Sequence, residues 1–444
     1  MVDMSPELVT IVMFSGILIG ILLGYPLALV LGGVAMIVGV MTIGDTAFAV
    51  FRMRLFSLVS DYVILAAPLF IFMGVMVERS GTAGKLYSGL YLWFGGLRGG
   101  LAIATILMGT IMAATVGVIA ASVIMLGLIA APSMLQRGYS KELVSGSVCA
   151  GGCLGILIPP SVMLVFYGPM AAISVGKLFM GAFVPGFLLS ILYCSYIAIR
   201  CWLNPQLAPP VPVTERAVPL MQKLNILVTS MLPPIALILI VLGSIFFGIA
   251  APTEAAAVGA LAATIMAAAY RRFNLKTLKE TALQAMSITS MAIFIAVGAS
   301  MFVAIFLKLG GGDVVHDLVL SAPGGRWGAF ALIMFILFIL GMFIDWLGIL
   351  FLMVPLVTPI GESLGFDPLW FAMMICINLQ MSFMTPPLAY AIFFFKGIVK
   401  PEWGVTTGDI IRGVIPFVII VMIGIALCIT FPQIILWLPN LMIK

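Results

Sequence analysis

Two short stretches, Gly155-Ile-Leu-Ile-Pro159-Pro160 and Ser382-Phe-Met-Thr385-Pro386-Pro387, set paired prolines inside long apolar runs. Proline removes a backbone donor and its ring clashes with the preceding helical turn, so a helix must break at each. The two sites lie 227 residues apart. The same offset carries Ala114–Val118 onto Gly341–Asp345, and Glu7 onto Pro234. One offset holding at three places predicts an internal duplication.

Outward from these breaks, apolar runs predict spans near 7–24, 26–44 and 61–78, a long stretch from Gly99 to Leu135, then 141–170 and 179–203. The second half repeats the order: 226–247, 252–270 and 281–308, a long stretch from Trp327 to Leu364, then 368–398 and 410–437. Between the halves, 204–225 holds Pro205, Pro209, Pro210, Pro212 and Pro219 and reads as a stiff spacer. Gly99–Leu135 has 37 residues, too long for one ordinary span and short for two with a loop. It predicts a re-entrant hairpin that returns to its own side. Each half then crosses five times, and the second is inverted relative to the first. The expected organisation is a first repeat over 1–203 (hairpin 99–135, broken helix 141–170), the linker 204–225, and a second repeat over 226–444 (hairpin 327–364, broken helix 368–398).

Composition agrees with an all-α polytopic membrane protein. Hydrophobic residues are 63% of the 444 and charged residues 8%, against about 45–50% and about 25% in soluble domains. Such a chain cannot cover a water-soluble surface, and its unbroken runs exclude the alternating strands of a β-barrel. Asp3 and Glu7 stand where a signal peptide carries basic residues, so the first helix reads as retained, with its N-terminus outside. That topology places 15 Lys and Arg on inner segments and 6 outside (Arg52, Arg54, Lys177, Lys308, Arg326 and Lys444), as the positive-inside rule requires. No basic stripe interleaves with aromatics, which excludes nucleic-acid binding. The six cysteines form no CxxC pair, and His316 is the single histidine. Disulfide frameworks, zinc sites and histidine-based catalysis therefore lack material.

The breaks and hairpins carry the candidate chemistry. Unwound backbone at membrane depth persists only where it is buried or lines a cavity. Broken helices offer carbonyls to a cation and N–H groups to an anion. A bare proline kink would explain one Pro-Pro; a matched pair in inverted halves points to a site. Gly151, Gly152 and Gly155 loosen the first break. The first hairpin middle is a small-residue tip at Ala113-Ala-Thr115-Val-Gly117-Val118. The second holds Asp345, the one charge between Ala329 and Ile360. An ionisable residue at that depth coordinates a cation or caps a half-helix, or does both. Asn378, Gln380, Ser382 and Thr385 line the approach to the second break, for ligand contact or interhelical bonding. Thr253-Glu254 reads as a helix cap. No Lys or Arg lies in the central thickness of these segments, so an anion would rely on half-helix N-termini and bound cations. Each net positive charge carried inward gains about 2.3 kcal/mol per 100 mV.

The chain closely resembles the large membrane subunit of tripartite ATP-independent periplasmic (TRAP) transporters, the DctM-like family. The resemblance spans essentially the whole chain. It rests on Gly152-Cys-Leu-Gly-Ile-Leu-Ile-Pro-Pro-Ser161, Gly248-Ile-Ala-Ala-Pro-Thr-Glu-Ala-Ala-Ala-Val-Gly259, Arg137-Gly-Tyr139, and Gly341…Asp345 with Thr385-Pro-Pro387. Val241–Gly248, Asn378-Leu-Gln380 and Thr407–Pro416 look like the branch of the mannitol and chloroaromatic, keto-acid and lactate systems. The resemblance implies sodium-coupled import of a small organic acid anion with no other cofactor, and an elevator motion of a transport domain against a scaffold. It also implies a periplasmic substrate-binding protein and a small four-helix membrane subunit as partners. The setting would be a bacterial inner membrane with periplasmic termini. Carried over by position, one sodium site uses Thr115 and Gly117 with Gly152 and Pro159. The other uses Gly341 and Asp345 with Thr385 and Pro386. Substrate would lie between them, near Thr115, Gly117, Ser161, Asn378, Gln380, Ser382 and Thr385. A carrier of the same fold working without a binding protein is the alternative. An intramembrane enzyme would need a catalytic partner for Asp345, and a channel would not need two blocking hairpins.

Overall fold

The computed structural model describes residues 3–216 and 218–442, and the described chain is helical. The first half comprises α1 (Pro6–Leu22), α2 (Leu27–Ile43), α3 (Thr46–Val59), α4 (Ala66–Arg79), α5 (Thr82–Phe94), α6 (Gly100–Val116), α7 (Ile119–Gln136), α8 (Lys141–Cys153), α9 (Val162–Ala171) and α10 (Val175–Leu203). A short α11 (Val213–Arg216) lies in the linker. The second half comprises α12 (Leu220–Phe246), α13 (Pro252–Ala269), α14 (Leu275–Lys308), α15 (Gly311–Leu320), α16 (Gly325–Gly341), α17 (Trp346–Ser363), α18 (Pro368–Ser382), α19 (Tyr390–Ile398), α20 (Thr407–Thr430) and α21 (Gln433–Asn440). Eight helical segments among the described residues have the length and apolarity of a full crossing.

The fold is an all-α membrane architecture with a helical hairpin and a Pro-Pro broken helix in each half. The 227-residue offset carries α7 onto α17 at both ends, and α2, α5, α8 and α9 onto α13, α15, α18 and α19 within two residues. It carries α3 and α4 together onto the single helix α14. α6–α7 and α16–α17 are the two hairpins; α8–α9 and α18–α19 are the two broken helices.

Three helices fall where connectors were expected: α3, α5 and α15. Helix α5 shows the reason: Leu86, Tyr87 and Leu90 are buried on one face while Lys85 and Ser88 interrupt the apolar run. An amphipathic helix of this kind leaves no continuous hydropathic signal. The expected final span 410–437 is two helices, divided at Phe431-Pro432, because a proline disfavours helical geometry in the residue before it.

The linker is a strap rather than a spacer. Gly99 N donates to Ala208 O at 3.3 Å, Val211 N to Gly95 O at 2.8 Å and Ser140 N to Leu207 O at 2.9 Å. Arg137 adds a two-pronged contact to Glu215, with Nη1 to Oε1 at 2.8 Å and Nη2 to Oε2, and Nη2 also reaches Tyr91 Oη at 3.2 Å. Tyr139 Oη accepts from Leu101 N at 3.2 Å, so the Arg137-Gly-Tyr139 motif ties off the base of the first hairpin.

Residues assigned to one side by the charge count meet one another. Arg79 pairs with Glu280 and donates to Gln284 at 2.9 Å. Lys85 Nζ lies 3.8 Å from the Tyr270 ring centroid, and Lys141 Nζ donates to Gly404 O at 2.7 Å. At the opposite end, a Cβ on Gly310 would meet Pro6, and one on Gly176 would meet Ile245 and Met442. Lys444 lies outside the described residues.

Candidate functional site

The first hairpin turns at Gly117, whose φ of +66° is a left-handed conformation that costs glycine nothing. A Cβ there would lie 3.3 Å from Val162 Cγ2 and 3.4 Å from Val162 N, so the tip abuts the first break. Deeper in the hairpin, a Cβ on Gly109 would lie 2.7 Å from Gly151 O, placing α6 and α8 in backbone contact. Between α8 and α9 the chain passes through a 3₁₀ turn at Leu154–Ile156 and a cis Pro159-Pro160 bond. Thr115 Oγ1 donates to Met112 O at 2.9 Å, and the Ser161 hydroxyl donates to Ile156 O. These hydroxyl protons are used locally, which leaves the oxygens' lone pairs free for other work.

The second hairpin turns through Met342–Ile344, with Asp345 in the residue position before α17. Its first arm is bolted to α18 by two rungs of one register. Asn378 Nδ2 donates to Met334 O at 2.9 Å, and Ser382 Oγ to Phe338 O at 3.2 Å. Leu388 N donates to Met342 O at 3.2 Å across the break, where Pro386-Pro387 is also cis. Thr385 Oγ1 donates to Met381 O at 2.8 Å. Gln380 is completely buried, and neither amide atom has a hydrogen-bond partner.

Both tips meet at one cavity of about 410 Å³. Val118, Ile119 and Ala120 of the first hairpin line it, as do Phe343–Leu347 of the second. The breaks contribute Val162, Leu388, Tyr390 and Phe394, and the remaining wall comes from Ile71, the α1–α2 turn and α14 at Ile288, Met291, Ala292 and Ile295. Four lining residues, Ile119, Val162, Trp346 and Tyr390, are the first residues of α7, α9, α17 and α19. Four helix N-termini therefore end at one cavity, each bringing the positive end of its dipole; in α19 one first-turn donor is already used, Ala391 N to Phe383 O at 3.1 Å. Asp345 is the one charged side chain among the lining residues. Two of its lining residues, Tyr25 and Leu388, are exposed.

Of the residues expected at the site, Asp345 lines this cavity. Gly117 and Ser161 each sit one residue from a lining position, at Val118 and Val162. Gly341 lies behind the second tip against Ser382. Thr115, Gly152, Asn378, Gln380, Ser382, Thr385 and Pro386 are not among its lining residues, and Pro159 lines a different cavity. The α14 wall carries no sequence signal of its own. Its i, i+3, i+4, i+7 apolar stripe reads in sequence like any lipid-facing or core stripe. Tyr390 also lines the cavity, and its place three residues beyond Pro387 is the sequence signal for it.

Elsewhere, Glu254 caps α13 as expected, with Oε2 accepting from Ala251 N at 2.9 Å. Thr253 does not share that role; its hydroxyl is buried without a partner. Among the described residues no three His, Cys, Asp or Glu side chains gather into a metal-binding group.

Paired hairpins and broken helices around a shared cavity define a membrane transport protein. The fold matches the crystal structure of the Alcanivorax borkumensis YdaH transporter at a TM-score of 0.64 and 16% identity, covering 92% of this chain and 98% of that one. The chain belongs to the family of the tripartite ATP-independent periplasmic transporter, DctM component, whose family model matches residues 10–434. It is 31% identical to the C4-dicarboxylate TRAP transporter large permease protein DctM of Pseudomonas aeruginosa, over 87% of this chain and 88% of that protein. It is 30% identical to the ectoine/5-hydroxyectoine TRAP transporter large permease protein UehC of Ruegeria pomeroyi, over 96% and 98% respectively. It is a multi-pass transporter permease, not an enzyme.

Proposed function

We propose that this chain imports a small organic acid anion with sodium as the coupling ion, as the large permease of a three-part system in a bacterial inner membrane. A periplasmic binding protein delivers the anion, and a small four-helix membrane subunit braces the permease. Both termini of the chain face the periplasm.

The observation that carries this reading is the convergence of the N-termini of α7, α9, α17 and α19 on a cavity without a lysine or arginine. Helix N-termini are ready anion sites. The substrate carboxylate accepts from these N–H groups. Sodium ions at the two hairpin–break junctions offset the anion's charge and that of Asp345. An excess of sodium over substrate charge makes the loaded cycle electrogenic, and the membrane potential then drives import. The hairpins and broken helices travel as one body against α1–α4 and α12–α14, exposing the cavity to each side in turn.

The test is uptake into proteoliposomes holding the permease and its small subunit, with binding protein outside. Accumulation that needs an inward sodium gradient and rises with an inside-negative potential supports the proposal. Accumulation that ignores sodium and follows a proton gradient overturns the coupling ion. Full activity without binding protein overturns the delivery step.

A further inference from the structure

A second cavity, of about 740 Å³, lies between α5 and α12 on one side and α6, α10 and Pro159 on the other. Helix α12 lines it from Leu227 to Phe246. At 1.5 Å per residue this is about 28 Å, close to the roughly 30 Å hydrocarbon core of a bilayer. The cavity is thus a crevice running the depth of the membrane. Its rim opens sideways, where Trp93, Phe187, Ile191 and Leu239 are exposed.

Three fillings compete. Water needs two to four polar partners. The side-chain hydroxyls on these walls are Thr110 and Ser190, already bonded to each other at 2.6 Å. A transmembrane helix of a partner subunit, about 10 Å across and 28 Å long, needs on the order of 2,200 Å³, more than the roughly 1770 Å³ of atom-free space here even when the open rim is included. A polymethylene chain is slimmer, satisfies apolar walls and enters from the side. The Trp93 end supplies a place for a headgroup: the indole Nε1 donates to Lys223 O at 3.3 Å, and Arg98 is exposed on the adjoining turn. Tryptophan and basic residues at one end of an apolar crevice match the interfacial level of a phospholipid.

We infer that this crevice is a phospholipid-binding site. Acyl chain fills the space between α12 and the hairpin-bearing body, and the phosphate lies at the Lys223 and Arg98 end. The occupant is an integral wedge between the two parts rather than boundary lipid.

Gly243 makes the test clean. It lines the crevice, and a Cβ there has no heavy atom within 4 Å. Gly243→Trp therefore fills the cavity without a backbone clash. Gly33→Trp, on α2 and equally open, is the surface control. The permease and its small subunit would be purified, stripped of lipid, and titrated with palmitoyl-oleoyl phosphatidylglycerol in detergent, read by native mass spectrometry and by melting. The expected result is one tightly held lipid and a saturable rise in melting temperature for the wild type and for Gly33→Trp. Gly243→Trp should lose both while still melting cooperatively. Met231→Trp, at another lining position, should repeat that loss if Gly243→Trp fails to fold. Equal lipid retention and stabilisation in the lining variants and the wild type would overturn the inference. So would an efficient cysteine cross-link from Gly243→Cys to the small subunit.

Discussion

Val118 and Asp345 occupy equivalent positions in the two hairpin tips, 227 residues apart, and both line the same cavity. Each immediately precedes the second arm of its hairpin. One is apolar and the other a carboxylate, so the two junctions present unequal charge to a cation. Asp345→Asn should weaken sodium-specific stabilisation strongly. Thr385→Ala, in the break behind the same hairpin, should weaken it less. A wild-type gain of about 2.7 kcal/mol at a sodium concentration 100-fold above Kd should shrink measurably in both. Melting curves in sodium, potassium and choline chloride at equal ionic strength check this. Unchanged sodium dependence in both variants removes the second junction as a cation site.

The second hairpin packs on α18 without room for a methyl group. A Cβ on Gly341 would lie 2.5 Å from Ser382 Oγ and closer still to Ser382 Cβ, which cannot swing away. Gly341→Ala should cost about 1–3 kcal/mol through overpacking. Gly109→Ala, which meets the Gly151 carbonyl, should do the same in the first hairpin. Ser382→Ala combined with Gly341→Ala should recover little, because the Cβ contact remains. Thermal melts of the four proteins decide the matter.

Asn378 holds α18 to the second hairpin through Met334 O while fully enclosed. Asn378→Leu should lower stability by about 0.5–1.5 kcal/mol, the net worth of one hydrogen bond, because Met334 O lies within α16 and keeps its helical partner. If the amide serves only as this clamp, the affinity for transported anion changes little in the protein that still folds. A large loss of affinity with unchanged melting would assign Asn378 to the ligand instead.

The strap at the base of the first hairpin carries a pH signature. The Arg137 guanidinium holds the Glu215 carboxyl below the ordinary carboxylate range. A depressed folded-state pKa contributes stability above the unfolded value, near 4.5, and that stability is lost as pH falls through the folded value. Wild-type melting should therefore drop faster than that of Glu215→Gln below about pH 4.5. Between pH 5 and 7 the two should run parallel. Parallel curves at every pH would mean the contact adds nothing in solution.

The cavity has no cationic side chain, and its walls are mostly aliphatic and aromatic. If one carboxylate takes the helix N-termini, a second would be desolvated against these walls with no cationic side chain to meet it, a cost of several kcal/mol. Isocaproate and phenylacetate should therefore outcompete succinate and malate in counterflow assays. Succinate winning at equal concentration contradicts this reading of the walls.

Much of this design was legible in the residues. Pro159-Pro160 and Pro386-Pro387 had to break helices, and Asp345 had to be exceptional in an uncharged run. Those are local constraints, set by a ring closure or a desolvation cost, and they survive folding. What sequence could not separate were the uses of polar groups that tertiary neighbours decide. In sequence Asn378 and Ser382 read equally as ligand contacts or interhelical clamps; their bonds to Met334 and Phe338 become visible only when the helices are brought alongside. The α14 face at Ile288–Ile295 looks like a lipid contact until two hairpin tips arrive opposite it. Helix α5 escaped because its apolar residues are spaced around a cylinder rather than strung in a run.

The unequal treatment of one position gives the two halves different mechanics. Asp61 accepts from Val63 N at 2.9 Å, and there the first half parts into α3 and α4. Its counterpart at the 227-residue offset is Ile288, and α14 runs on unbroken for 34 residues. A rod of that length, about 51 Å, overshoots the hydrocarbon layer and stands as a mast. The corresponding element of the first half is jointed at a level where the mast is solid. If the hairpin-bearing body moves against these helices as proposed, a machine built on one mast and one elbow would not swing evenly, and tilting would concentrate at the elbow.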